Sequence, residues 1–232
     1  MSKVKFHYDF KKDAWSWVLI AKDKNLWGLN WRAQVAHIPN ELLKKIKSTS
    51  FSRAQKLVED YIQKHPKKVY KEKIIYSEMK SLEKLWRIVE KEYFRTLSNI
   101  TQKPIFTDEF GCFFTTDFMC PYNDKKNWFM VSMWHSIPFS ITTICHEVMH
   151  LQFLFHYRKY LVKKGLQEEQ IQELKEALTF LLNEKEFNGM ILCSDNGYPE
   201  HQKLRKKLQK IWTKDKDFGK FLNRAIEETK KR

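Results

Sequence analysis

Apolar residues recur at helical spacing through most of the first hundred positions. Residues 10–24 predict a first helix with Trp15, Val18, Leu19 and Lys22 on one face, followed by a loop around Trp27, Gly28, Leu29, Asn30 and Trp31 whose tryptophans serve packing. A second helix starts after Pro39-Asn40 and carries Leu42, Leu43 and Ile46; a third runs from Ser52 to about residue 64 and stops before His65-Pro66. A long helix over residues 71–97 buries Ile75, Met79, Leu82, Leu85, Trp86, Val89 and Phe94. Residues 1–100 therefore read as a helical half packed on the core.

The texture changes at Thr101. Pro104-Ile105-Phe106, residues 112–116 and residues 128–134 are rich in aromatic and β-branched residues and are punctuated by Gly111, Pro121 and Asn123-Asp124. They predict a small antiparallel sheet, and residues 128–134 as an edge to which an extended peptide could add itself by backbone hydrogen bonds. Residues 141–157 then form a mostly apolar helix, with Pro138 and Ser140 at its start and Gly165 as its stop. A further helix over residues 167–187 ends at Asn188-Gly189. A loop through Asp195, Asn196, Gly197, Tyr198 and Pro199 leads to a basic helix over residues 200–212 and a short terminal one. The fold class is α+β, predominantly helical, with residues 101–232 carrying the candidate chemistry in what reads as one continuous unit.

That chemistry centres on His146-Glu147-Val148-Met149-His150. On a helix, His146 and His150 lie one turn apart on one face and can grip a single metal ion, with Glu147 beside it. Buried imidazoles and a buried carboxylate without partners would each cost several kcal/mol, which a metal relieves. With Zn²⁺ as the ion, Glu147 is placed to act as a base and not as a ligand.

At these residues the chain resembles the zincin metallopeptidases, whose HExxH signature is flanked by uncharged residues. Thr143, Ile144 and Cys145 before the motif and Val148 and Met149 inside it fit that pattern, while Gln152 departs from it. The resemblance implies a zincin-like core in which a small sheet precedes the motif helix. A catalytic zinc site needs a third protein ligand. His156 gives the metzincin spacing, but Phe153 stands where that family has a helix-breaking glycine, so on an unbroken helix His156 lies about 120° from the ligand face. The gluzincin alternative, seen in thermolysin-like enzymes, takes a glutamate from the next helix: Glu173, Glu176 or Glu184. Glu176 is favoured because it opens the apolar run over residues 177–182, and because Lys175 and Lys185 fall on other faces and leave it no obvious cation. Tyr198 and His201 are candidate donors to a developing oxyanion. The expected function is a zinc-dependent peptidase, with Glu147 as general base and a peptide or protein as substrate. Its rivals are a catalytically idle metal-containing binding protein and a nucleic-acid-associated zinc protease.

Composition adjusts this picture in three places. The net charge of +15 admits a nucleic-acid partner, but only 8 of the 43 basic residues are Arg and the lysines are scattered over helix surfaces, which argues against a built phosphate site. No membrane-spanning run or signal-peptide pattern is present, which suggests a cytoplasmic protein without membrane insertion. Cys112, Cys120, Cys145 and Cys193 have no CxxC pairing and read as reduced thiols.

Overall fold

The computed structural model describes residues 2–22, 25–26, 29–30 and 37–231. A first strand, β1 (Lys3–Tyr8), leads into helix α1 (Phe10–Lys22), a short hairpin of β2 (Asn25–Leu26) and β3 (Leu29–Asn30), and then helices α2 (Asn40–Ser48), α3 (Phe51–Lys64) and α4 (Lys68–Thr101). Then come β4 (Glu109–Thr115), β5 (Tyr122–Asn123), β6 (Trp128–Ser132), α5 (Ile137–Lys163), α6 (Glu168–Leu178), α7 (Gln202–Trp212) and α8 (Phe218–Lys230). The fold is α+β and predominantly helical. The expected loop residues Trp27, Gly28 and Trp31 lie outside the described residues.

The four-stranded sheet runs β1-β4-β6-β5 and is mixed, not antiparallel: β1–β4 and β4–β6 are parallel, and only β5–β6 is antiparallel. The turn signals at Pro121 and Asn123-Asp124 mark the β5–β6 hairpin correctly. Residues 116–121 carry the chain across, so that β6 enters between β4 and β5 instead of extending a meander. Two consequences follow. Strand β6 is interior, paired by β4 along its length and by β5 at Trp128 and Phe129, while Met130 N donates to Pro121 O at 2.9 Å. Peptide addition along residues 128–130 is thus blocked. Gly111 pairs with Trp128, and a Cβ on it would come within 3.2 Å of the Trp128 Cβ, so this register leaves a side chain there little room.

Strand β1 occupies one sheet edge, and α4 protects it. Glu90 Oε1 accepts from Val4 N at 2.7 Å and Arg87 donates to Val4 O at 2.8 Å, filling the backbone groups that would otherwise invite another strand. Behind the sheet, Trp86, Tyr93, Phe94 and Leu97 of α4 join Phe110, Phe114, Phe129 and Val131 in the main core. Leu85, expected in that stripe, is 41% exposed because the buried face of α4 runs through Leu82, Trp86 and Tyr93. Helix α1 is likewise rotated from expectation: Ala14, Trp17, Val18 and Ala21 are buried, packing with Ile46, Ala54 and Val58 in a second cluster. Asp13 ties α1 to the end of β4, its carboxylate accepting from Thr115 Oγ1, Thr116 N, Thr116 Oγ1 and Tyr8 OH.

Helix α5 runs through the main core, and from Ser140 to Leu154 all but His146 are buried, which explains its nearly uniform apolarity. Its cap is Ser136 and not Ser140, with the Ser136 side chain accepting from Phe139 N and Pro138 in the first turn. Gly165 closes it at φ 89°, and Leu166 N bonds Leu161 O at 3.1 Å while both leucines are buried. Helix α6 ends at Leu178, well short of the expected Phe187, and continues as 3-10 turns Thr179–Asn183 and Lys185–Phe187. Among the described residues no helix is long and apolar enough to cross a membrane.

Asp117, beyond the end of β4, generates a prediction. It is fully buried, its Oδ2 has no hydrogen-bond partner among the described residues, and burial with the nearby Asp13 pushes its carboxyl up to about 8 despite the Phe118 N–H on Oδ1. A carboxyl raised above its unfolded value favours the fold while protonated. Its contribution is complete below about pH 4 and lost as pH rises through about 8. Asp117→Asn should therefore lose less stability than wild type between pH 5 and pH 9 in urea unfolding. Equal losses would contradict this role for Asp117.

Candidate metal centre

Helices α5 and α6 and the loop at Asp195 converge on one buried cluster. His146 and His150 project from the same face of α5, and Glu176 reaches them from α6. Glu176 Oε2 lies 3.4 Å from His146 Nε2 and 3.5 Å from His150 Nε2. Ligands about 2.05 Å from a tetrahedral ion stand about 3.3 Å apart, so these separations suit a single ion between them. Glu176 Oε2 and His150 Nε2 are buried and make no hydrogen bond among the described residues. This residue set could hold a divalent metal, and the orphaned atoms are the ones that would bind it.

The surroundings prepare each ligand. His146 Nδ1 sits 2.6 Å from Asp195 Oδ2, which fixes the ring orientation and leaves Nε2 facing the cluster. Burial would lower the His146 imidazole, but Asp195 and then Glu176 outweigh it and raise it to about 10, so a metal arriving at Nε2 would displace a proton. His150 is held well below its ordinary value by burial and is a neutral imidazole. Burial opposes ionisation of Glu176, yet the charged His146 ring and the Lys175 ammonium hold its carboxyl well below the carboxylate range.

Asp195 is the functional residue that sequence reading missed, because it appeared only as part of a turn. It is fastened on every side: Oδ1 accepts from Thr179 Oγ1 at 2.8 Å and pairs with Arg205 at 3.0 Å, and its backbone exchanges hydrogen bonds with Asn183. Gly197 makes this possible. It adopts φ 61°, and a Cβ there would fall 2.8 Å from the Arg205 side chain that passes it on the way to Asp195. The 3-10 turn after Leu178 brings Thr179 and Asn183 under the same loop, a break that helical periodicity does not report.

Lys175 corrects a second expectation. Its ammonium lies 2.7 Å from Glu176 Oε1, so Glu176 does have a cation. The long side chain bends back across the angle that separates adjacent helix positions.

The other proposed ligands lie elsewhere. His156 Nε2 contacts Pro104 O at 2.9 Å, Glu184 pairs with Lys216 at 2.9 Å, and Glu173 is not part of the cluster. Gln152, the departure from the apolar pattern, is buried because it ties down residues 104–106: Oε1 accepts from Phe106 N and Nε2 donates to Pro104 O.

A cleft of about 270 Å³ reaches the cluster at His146, the one of the three that lines it, and is walled also by Glu147, Asp195, Tyr198, Phe118, Phe139 and His135. Glu147 is 6% exposed, and its Oε2 has no hydrogen-bond partner among the described residues. Burial raises its carboxyl to about 7, with Glu176 and Asp195 adding to this and His146 and Lys175 opposing it. Tyr198 faces the cleft and burial keeps its phenol protonated, whereas His201 is buried and is not among the lining residues. His135 joins the wall as a neutral ring, lowered to about 4 by burial.

Two expectations follow for metal retention, both measured by elemental analysis and chelator competition. Glu176→Ala should reduce bound metal to traces, whereas His156→Ala should leave it unchanged; the reverse pattern would displace Glu176 from the cluster's role. Asp195→Ala should weaken affinity about 10- to 100-fold, the usual range for a group that orients a ligating histidine, and wild-type affinity would show that Asp195 serves packing alone. No protein family, curated protein or solved structure matches this chain, and its functional reading rests on the geometry of this site.

Proposed function

We propose that the protein is a zinc-dependent peptidase with a zincin-like, gluzincin-type site: His146, His150 and Glu176 hold the ion and Glu147 is the general base. The observation that carries this reading is the pairing of the three-residue cluster with a buried carboxylate, raised to about 7, in the wall of an adjoining cleft. A bound zinc ion supplies Lewis acidity, polarising a carbonyl and acidifying a water. Glu147 takes the water proton on its carboxylate and delivers it to the departing amine, a task for which a base near neutrality is well matched. Tyr198 donates a hydrogen bond from its hydroxyl to the oxygen that gains charge and keeps its proton, since burial holds the phenol protonated and it faces the same space. His201 supports that wall, its ring edge-on to Tyr198 at 6.0 Å.

Zinc is the ion proposed because two imidazoles and one carboxylate with an open fourth position are a donor set that catalytic zinc takes. A purely structural zinc site closes with a fourth protein ligand and leaves no work for a base. The substrate is proposed to be a peptide or protein lying in the cleft beside Phe118 and Phe139.

Glu147→Gln tests the chemistry. The variant should retain wild-type metal stoichiometry while hydrolysis of a denatured protein substrate falls at least about 1,000-fold, because an amide cannot accept the proton. Turnover near wild type would remove Glu147 from the mechanism.

A further inference from the structure

Lys175 is the only buried lysine among the described residues, at 1% exposure, and it stands next in sequence to a proposed metal ligand. Its Nζ lies 2.7 Å from Glu176 Oε1 and 3.0 Å from the Tyr122 hydroxyl, and sits 4.4 Å from the centre of the Tyr122 ring. Tyr122 in turn donates to Gln172 Oε1 at 2.9 Å, so strand β5 anchors the ammonium, with the Tyr122 ring 5.9 Å from that of His150. The two Glu176 oxygens are thereby divided: Oε1 is held by Lys175, and Oε2 faces His146 and His150.

A second positive charge beside a cation site weakens the binding of every cation, so the arrangement needs a return. One-oxygen ligation supplies it. Large cations such as Ca²⁺ gather six to eight oxygens and use both atoms of a carboxylate, whereas zinc sites are satisfied by about four ligands. A carboxylate whose second oxygen is tied by a charge-assisted hydrogen bond cannot chelate without breaking a buried ion pair. We propose that Lys175 is a positioning residue that restricts Glu176 to one-oxygen ligation and thereby biases the site toward a small, few-ligand cation. This rests on the metal reading of the cluster.

The test begins with apo-protein titrated by Zn²⁺ and by Mn²⁺ against a chromophoric chelator. Lys175→Met, which retains an unbranched apolar chain and removes the donor, should lower the zinc-to-manganese affinity ratio about tenfold, and a ratio within about twofold of wild type would overturn the proposal. A direct readout on wild-type protein holds whether or not that variant folds. Difference infrared spectra of zinc-loaded against apo-protein, with Glu labelled by ¹³C, should show the widely separated carboxylate stretches of one-oxygen ligation. The closely spaced stretches of a chelating carboxylate would overturn the role of Lys175 while leaving the metal site standing. Failure of wild type to hold zinc at all would instead overturn the metal reading, and this inference with it.

Discussion

A carboxylate that is 2% exposed must find positive or polar company, and the centre of this molecule is arranged around that requirement at Glu176. Lys175 meets one oxygen, and the other faces two imidazoles. His146 is steered by Asp195, Asp195 is charged against Arg205, and Arg205 reaches it across Gly197. Removing one member leaves another charge buried and unpaired, so the network behaves as a unit. It joins α5, α6, α7 and the 195–198 loop at one place.

The same constraint separates what the sequence discloses from what it hides. The α5 histidines were legible because helical spacing alone puts positions four apart on one face. Glu176 was legible for a weaker reason, its place at the mouth of an apolar run, and part of the argument for it was mistaken: Lys175 does reach it. Asp195 was not legible, since its role depends on a 3-10 turn after Leu178 and a left-handed glycine, neither of which leaves a periodic trace. His156 illustrates the converse, because a familiar spacing meant nothing once the unbroken helix turned it toward Pro104.

The fold followed a similar division. Long helices with one apolar stripe were placed closely, as α3 and α4 show, whereas the sheet was read with the wrong pairing. Sequence neighbours among strands were assumed to be spatial neighbours, and the insertion of β6 between β4 and β5 breaks that assumption. Strand β1 escaped notice although Val4, Phe6 and Tyr8 alternate with polar residues, because six residues before a strong helix carry little weight on their own. Its pairing with β4 draws the start of the chain into the same sheet that precedes the motif helix.

The central claim is that His146, His150 and Glu176 form one metal centre. Anomalous scattering on either side of the zinc absorption edge, from crystals of protein loaded with stoichiometric zinc, addresses it most directly. The account predicts a single strong peak per chain, within about 2.0–2.2 Å of His146 Nε2, His150 Nε2 and Glu176 Oε2. No peak there, or a peak held by other residues, would contradict it.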